Sequence, residues 1–198
     1  MATLSQVKTY GGIGSILTLL APLPGFGWAL AIAGFILMLV AVKYLSDILH
    51  DTSILNNMVL SIVAAVTGLV VGTLVVMGSV FRFMGLNGLM WSDWANLNPA
   101  TIPTGDWVGL IGSVLVALAA VWVLLTVSGY FLNRGYRRVA SALRINLFGT
   151  AGLLFLIGAA TTIIGVGFLL IPIALILLAV AFFSINDTTP IGPAAPAV

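Results

Sequence analysis

Few residues in this chain could carry chemistry, and three of them lie close together. Asp47, His50 and Asp51 are spaced by three and four residues, so a helical segment would place them on one face. Two carboxylates and an imidazole could hold a cation or relay a proton. This cluster is therefore the first candidate site.

The same segment also has a structural interpretation that needs no ligand. Lys43 and Asp47 are four residues apart and would pair along a helix, with the Lys43 side chain reaching the membrane boundary. Asp51 would then cap the helix that follows. One His and two Asp are too few to specify a metal, so no metal site is predicted and this second interpretation is favoured.

Missing residue types exclude whole classes of chemistry. The 198 residues contain no Cys and one His, and the sequence has no Glu. Disulfides, thiolate metal sites, iron–sulfur clusters and cysteine nucleophiles are therefore excluded, as is bis-His haem ligation within one chain. No nucleophile–base pair lies within the apolar segments, so we expect neither an enzyme nor a bound cofactor.

The composition indicates an integral membrane protein. Hydrophobic residues make up 61% of the chain and charged residues 6%, with a mean hydropathy of +1.24, whereas a soluble domain carries roughly 25% charged residues. The sequence pI of about 9.3 results from a net charge of only +2 and does not indicate a nucleic-acid partner. The expected partner is the lipid bilayer.

Apolar segments of sufficient length predict six membrane spans, since a spanning helix needs about 20 apolar residues. The predicted spans are residues 4–21, 26–49, 54–84, 107–132, 139–162 and 165–185. A Trp-rich outer loop, residues 85–106, separates the third span from the fourth, and residues 188–198 form a Pro-rich tail expected to be disordered. The predicted fold is one all-α bundle of six transmembrane helices over residues 1–187.

The positive charges predict the orientation of these spans. With the N-terminus inside, Arg82 is the only basic residue outside, and the other six are cytoplasmic: Lys8, Lys43, Arg134, Arg137, Arg138 and Arg144. This distribution predicts a multi-pass protein of the cell (plasma) membrane with both termini cytoplasmic. The four cytoplasmic arginines form a basic turn that either binds anionic lipid headgroups or only fixes the topology.

Small and aromatic residues supply the remaining candidate contacts. Gly68 and Gly72 on the third span have the spacing that lets helix backbones approach closely, either within the chain, which is favoured, or between subunits. Trp91, Trp94 and Trp107 are predicted anchors at the membrane–water boundary, where an apolar ring with a polar N–H is stable.

The two ends of the chain resemble each other. Residues 11–46 laid without gaps on residues 149–184 give several identities, including Gly11/Gly149, Gly14/Gly152, Gly27/Gly165 and Ser46/Ser184. Corresponding spans of the two copies are four spans apart in the chain, so both copies would point the same way across the membrane. The sequence therefore predicts a parallel repeat of helical hairpins, with helices 1–2 resembling helices 5–6.

Two segments carry a family resemblance. They are the glycine-rich stretch within the first span, Gly11-Gly12-Ile13-Gly14, and the segment Lys43-Tyr44-Leu45-Ser46-Asp47-Ile48. With Gly27-Trp28, they resemble a family of small, mainly archaeal membrane proteins with a domain of unknown function. The likeness covers most of the chain and is sharpest in the first 60 residues. It implies a prokaryotic multi-span membrane protein, and it implies no activity, substrate or catalytic residue.

Two hypotheses for function follow. The first is a non-catalytic structural or accessory subunit that packs against itself or a larger membrane complex through its apolar, glycine-rich faces. The second is a small channel or carrier whose pathway forms on oligomerisation, with Asp47 and His50 at its inner mouth. A pathway for polar solutes normally leaves ionisable groups inside the membrane. The predicted spans have almost none there, which favours the first hypothesis.

Overall fold

A computed structural model of the protein describes residues 3–96 and 98–185, except for the side chains of residues 94–96. Its six α-helices are α1 (Leu4–Leu19), α2 (Gly27–Leu49), α3 (Thr52–Asn87), α4 (Thr104–Leu143), α5 (Asn146–Thr161) and α6 (Gly167–Phe183). Short 3₁₀ helices lie at Trp91–Asn96, Pro99–Thr101 and Thr162–Ile164. No strand occurs among these residues, which confirms the all-α prediction. The predicted tail, residues 188–198, lies outside the described residues.

Four helical segments are long and apolar enough to cross a membrane. They are α2, α3, α4 and the segment Asn146–Ile164, which joins α5 to the 3₁₀ helix after it. Helix α1 has 16 residues and α6 has 17. Because a helix rises 1.5 Å per residue, each of these two is about 25 Å long, a little less than the thickness of a hydrocarbon core.

The helices form a closed ring, which we call the bundle. Each helix packs against the next in sequence, and α6 packs against α1. The turn between α2 and α3 and the turn between α4 and α5 lie at one end, which we call the charged end because Lys43, Asp51 and Arg144 lie there. The core near this end is fully buried and includes Val7, Leu45, Phe148 and Phe182.

Glycine allows α1 and α2 to pack with their backbones in contact. A methyl group added at Gly14 would lie 2.7 Å from the carbonyl oxygen of Gly34, closer than real carbon–oxygen contacts. The Thr18 hydroxyl donates to the carbonyl oxygen of Gly14 at 2.9 Å, so its polar group is satisfied on the same helix. Close backbone approach of this kind is how helices associate without a hydrophobic driving force in lipid.

The structure corrects the predicted link between the fourth and fifth spans. Residues 133–138 are helical, because α4 continues to Leu143 and α5 begins at Asn146 rather than near residue 139. Arginine is a good helix former, so the arginines end the apolar segment without ending the helix. The chain turns at Arg144 instead, whose backbone is left-handed with φ 55°.

Helices α3 and α4 are also longer than predicted at their other ends. Helix α3 continues to Asn87 and α4 begins at Thr104, so the predicted outer loop is shortened to residues 88–103. The Trp122 indole N–H donates to the carbonyl oxygen of Ala160 at 2.8 Å, which aligns the last turn of α5 with Trp122. Residues 104–120 of α4 therefore extend about 25 Å beyond the end of α5. We call residues 73–87 and 104–120 the arm.

Candidate functional site

An ion pair at the charged end joins Asp51 to Arg138. The Asp51 carboxylate caps α3 by accepting hydrogen bonds from the backbone N–H of Ser53, at 2.9 Å, and from the Ser53 hydroxyl. The Arg138 guanidinium donates to Asp51 at 3.3 Å and to the Ser53 hydroxyl at 3.0 Å. These contacts fasten the turn between α2 and α3 to the last turns of α4.

The environment of Asp51 favours its ionised form. Burial raises the pKa of this carboxyl group, but the hydrogen bonds from Ser53 and the charge and hydrogen bond of Arg138 lower it by more. The net result is a pKa below the ordinary value of 3.8. Asp51 is therefore a charged structural contact at neutral pH.

The other two members of the predicted ion cluster lie on the surface. Asp47 and His50 are exposed, and His50 ends α2 in a left-handed conformation with φ 51°. Among the described residues no group of three His, Cys, Asp or Glu side chains is placed to hold a metal ion. The capping role considered for Asp51 is present, because its carboxylate caps α3.

The four predicted lipid-contacting arginines lie on α4 and at its end rather than in a separate turn. Arg134, Arg137 and Arg144 are exposed at the charged end. Arg138 is mostly buried, with a side chain 18% exposed, and is engaged by Asp51. Three of the four guanidinium groups are therefore accessible to lipid headgroups.

The predicted glycine contact forms inside the chain. A methyl group added at Gly68 would lie 3.0 Å from the Leu124 Cβ atom on α4, and one added at Gly72 would overlap the Val121 side chain. Both glycines are buried. This face of α3 is therefore occupied by α4 and is not free for another subunit.

The tryptophans gather near the end of the arm. Trp91 is exposed and meets Phe81 edge-on, with ring centroids 6.0 Å apart. Trp107 packs on Phe83, with centroids 4.9 Å apart. The side chain of Trp94 lies outside the described part of the structure. Trp91 and Trp107 thus belong to the region where membrane-interface anchors were predicted.

A groove between α3 and α4 near the end of the arm was missed by the sequence analysis. Its volume is about 190 Å³. The polar or small residues that line it are Ser79, Arg82, Gly105, Asp106, Gly109 and Ser113. A methyl group added at Gly105 or Gly109 would meet no atom of the described residues within 4 Å, so these two glycines are open to a neighbour. Their four-residue spacing was visible, but the predicted fourth span began at Trp107 and divided it.

A second, larger space lies at the centre of the bundle. All six helices line this central cavity, whose volume is about 270 Å³. Its polar wall residues include Thr18, Ser61 and Ser128, and the last two are hydrogen bonded through their hydroxyls at 2.9 Å. The remaining lining residues are largely aliphatic or aromatic, so the cavity is an apolar space with a satisfied hydroxyl pair in its wall.

Comparisons with known proteins identify the family and leave the activity open. The model of the family "Protein of unknown function (DUF996)" matches residues 30–176. The chain is also 29% identical to an uncharacterized protein of the archaeon Methanocaldococcus jannaschii over 184 residues, which cover 93% of this chain and 94% of the relative. No solved structure matches the chain. The chain belongs to the DUF996 family, which confirms the resemblance to a family of unknown function with an archaeal member.

Proposed function

We propose that this DUF996 protein is a non-catalytic integral membrane protein that serves as a structural or accessory subunit. It assembles through the arm, either with further copies of itself or within a larger membrane complex. One observation carries the proposal. The arm extends the apolar surface of α3 and α4 beyond the thickness of a hydrocarbon core and ends in a groove with open glycines.

The apolar length of α3 and α4, to which the arm contributes, can be compared with the thickness of the hydrocarbon core. Asn57 lies opposite Gly135 near the charged end, and the next charged residue along α3 is Arg82. The distance between Asn57 and Arg82 along the helix is about 37 Å, and that between Arg134 and Asp106 on α4 is about 42 Å. A hydrocarbon core is about 30 Å thick, so a tilt of about 40° would be needed to bury both.

Such a tilt is at the upper limit for transmembrane helices. Contact with a protein partner is therefore a simpler way to bury this surface than tilting it into the lipid. The apolar side chains of the arm face outward, with Leu74 65% exposed and Val116 66% exposed. In contrast, Ala117 is 1% exposed because it faces the partner helix. Each of the two helices of the arm thus buries one narrow face against the other helix, and its remaining faces are exposed.

The groove supplies the geometry for close approach. Gly105, Gly109 and Ser113 follow one another at four-residue spacing on α4, the pattern by which transmembrane helices pack closely. Arg82 and Asp106 line the same groove and offer charges of both signs to a partner. A helix from a second subunit would fit against this surface with its backbone close to the two glycines.

Native mass analysis of the protein, extracted gently from its own membranes, tests the proposal. We expect an assembly of defined stoichiometry, with itself or with co-purifying chains. Gly109→Leu should release the subunit, whereas Gly78→Leu should not, since Gly78 is also free of neighbours within 4 Å but does not line the groove. A monomer in the wild type, or equal behaviour of the two variants, contradicts the proposal.

For the topology we propose six membrane-embedded helices with the charged end in the cytoplasm of a prokaryotic cell. The basic residues at that end support this orientation. The absence of Cys from the sequence gives a clean background for labelling. Ser141→Cys should react with an impermeant maleimide only after the cells are opened, and Thr101→Cys should react on intact cells. The reverse labelling pattern would show that the charged end lies outside the cytoplasm.

The parallel hairpin repeat is supported by two aromatic pairs that occupy equivalent positions. The register that aligns Gly11 with Gly149 also aligns Tyr10 with Phe148 and Tyr44 with Phe182. Tyr10 and Tyr44 lie 6.1 Å apart between centroids, and Phe148 and Phe182 lie 5.0 Å apart. Aligned family members should keep similarity in this register, and similarity in another register would reject the repeat.

A second candidate function is a small carrier or channel whose pathway forms on oligomerisation. The central cavity favours it, because Ser61 and all six helices line that space. Flux measured in vesicles tests this candidate, with Asp47→Asn as the variant at the proposed inner mouth. Flux that falls in Asp47→Asn supports a carrier, and no flux in the wild type rejects it.

A further inference from the structure

The central cavity reaches the side of the bundle where two helices are least in contact. Among neighbouring α-helices in the ring, α2 and α3 touch each other least. Both line the cavity, α2 through Phe35 and Met38 and α3 through Ile62 and Val66. Val66 lines the cavity and is nevertheless 52% exposed, so the cavity extends to the outer surface of α3. Its mouth therefore faces the bilayer between α2 and α3.

The wall of the cavity is suited to an apolar occupant. None of the described residues that line it is charged. The Ser61 and Ser128 hydroxyls bond to each other, and the Thr18 hydroxyl bonds to the Gly14 carbonyl oxygen, so these donors are satisfied by the protein. Apolar cavities bind hydrocarbons in preference to water. Two flexible side chains, Met38 and Met58, can adapt to the shape of what enters.

Packed side chains close the cavity toward the charged end. Val42, Ile54 and Val139 are each at most 2% exposed, and they enclose only about 10 Å³ of space beside Tyr136. That volume is at the lower limit for one water molecule. The cavity is therefore a pocket entered from the side, with its inner end sealed.

We propose that the central cavity binds one hydrocarbon chain of a membrane lipid, which enters from the bilayer between α2 and α3. The volume of about 270 Å³ is near the lower end of small-molecule pockets, which begin at about 300 Å³, and suits part of a chain rather than a whole lipid. The headgroup stays outside the ring. This inference rests on the bundle and is independent of the assembly proposed for the arm.

Photolabelling of the full-length protein tests the inference. The probe is phosphatidylcholine with a diazirine midway along one acyl chain, present in vesicles that contain the protein. We expect label on cavity residues of the two helices far from the mouth, Phe155 on α5 and Ile171 on α6. The mapped sites must be distinguished from outward-facing residues of the same helices, Ile157 and Ile173, which contact bulk lipid.

Two tryptophan variants of α3 separate binding in the cavity from general contact with lipid. Ala65→Trp fills the cavity and should lower the label on Phe155 and Ile171 at least about tenfold, which corresponds to about 1.4 kcal/mol of binding free energy. Val63→Trp places the same side chain on the exposed face and should leave the interior label unchanged. Ala65→Met is a smaller change that keeps the test valid if Ala65→Trp fails to fold.

Two outcomes would overturn the inference. Label confined to Ile157, Ile173 and other outward-facing residues would mean that no chain enters. Interior label that persists in folded Ala65→Trp and Ala65→Met would place the probe elsewhere.

Discussion

The bundle and the arm are both built from apolar helices, yet they differ in what each side chain touches. In the bundle, helices meet partners on several sides, and polar contacts such as Arg138–Asp51 and Trp122–Ala160 join different elements. In the arm, α3 and α4 share one narrow face, with aromatic contacts near its end between Phe83 and Trp107. Leu115 and Leu118 in the arm remain more than half exposed.

This difference shows that apolar composition does not determine which helix faces are buried. An apolar face in a membrane protein can contact lipid, its own chain or another protein, and the hydrophobic free energy of these three contacts is similar. Burial in the bundle is determined by glycines and hydroxyls that let backbones approach, as at Gly14 and Gly34. The arm has such glycines as well, but at Gly105 and Gly109 no part of the chain that the structure describes lies within 4 Å of an added methyl group.

The largest expected effect contrasts a closed glycine with an open one. Gly14→Leu should destabilise the protein by at least about 3 kcal/mol, because its side chain would meet the backbone of Gly34. Gly112→Leu in the arm, with nothing within 4 Å, should change stability by less than about 0.5 kcal/mol. Thermal unfolding in detergent measures both. Similar losses in the two variants would remove the distinction between bundle and arm.

A smaller effect is expected at the charged contact of the bundle. Asp51→Asn keeps a capping side chain but removes the charge that faces Arg138, and should cost about 1 kcal/mol at neutral pH. The matched change in the arm, Asp106→Asn, should cost less than about 0.5 kcal/mol. Unfolding measured at pH 7 compares the two variants. Equal losses would show that the Asp51–Arg138 contact contributes no more than a surface charge.

The same variant predicts a pH dependence of known sign. The folded-state pKa of Asp51 is lowered, so its contribution is fully present above the unfolded-state pKa of about 3.9 and is lost as pH falls through the folded value. The stability difference between wild type and Asp51→Asn should therefore vanish at acid pH. A difference that grows as the pH falls would contradict the assignment of Asp51 as an ionised partner.

The next effect concerns a single hydrogen bond between helices. Trp122→Phe keeps most of the ring but removes the donor to the Ala160 carbonyl oxygen, and should cost about 1 kcal/mol. Trp107→Phe in the arm keeps the contact with Phe83 and should be closer to neutral. Unfolding midpoints of the two variants provide the comparison. A larger loss in the arm variant would mean that Trp107 supports the fold more than its ring contact indicates.

The smallest effect is expected at the hydroxyl pair in the cavity wall. A double-mutant cycle of Ser61→Ala and Ser128→Ala should give a coupling of about 0.6 kcal/mol, the average for hydrogen bonds between transmembrane helices. Ser113→Ala in the arm is the control, since its hydroxyl bonds to carbonyl oxygens of its own helix. Zero coupling between Ser61 and Ser128 would show that this pair does not join α3 to α4.

The sequence predicted the elements well and their contacts less well. Apolar length located all six helices, and the capping role considered for Asp51 is present, because both signals are local. The end of α4 was misplaced because hydropathy detects where the apolar segment stops, whereas Arg134 and Arg137 continue the helix. The partner of Arg138, the enclosure of Gly72 and the openness of Gly109 depend on distant parts of the chain, which spacing alone does not reveal.

The most direct test of the central claim asks which region touches another protein in the native membrane. Val108→Cys, next to Gly109 on the exposed surface of the arm, and Ile176→Cys on the exposed face of α6 each introduce one thiol into a chain without cysteine. A maleimide–benzophenone reagent attached to that thiol crosslinks any neighbouring chain on illumination. We predict a crosslinked protein of defined mass from Val108→Cys and only lipid adducts from Ile176→Cys. Only lipid adducts from both would contradict assembly through the arm.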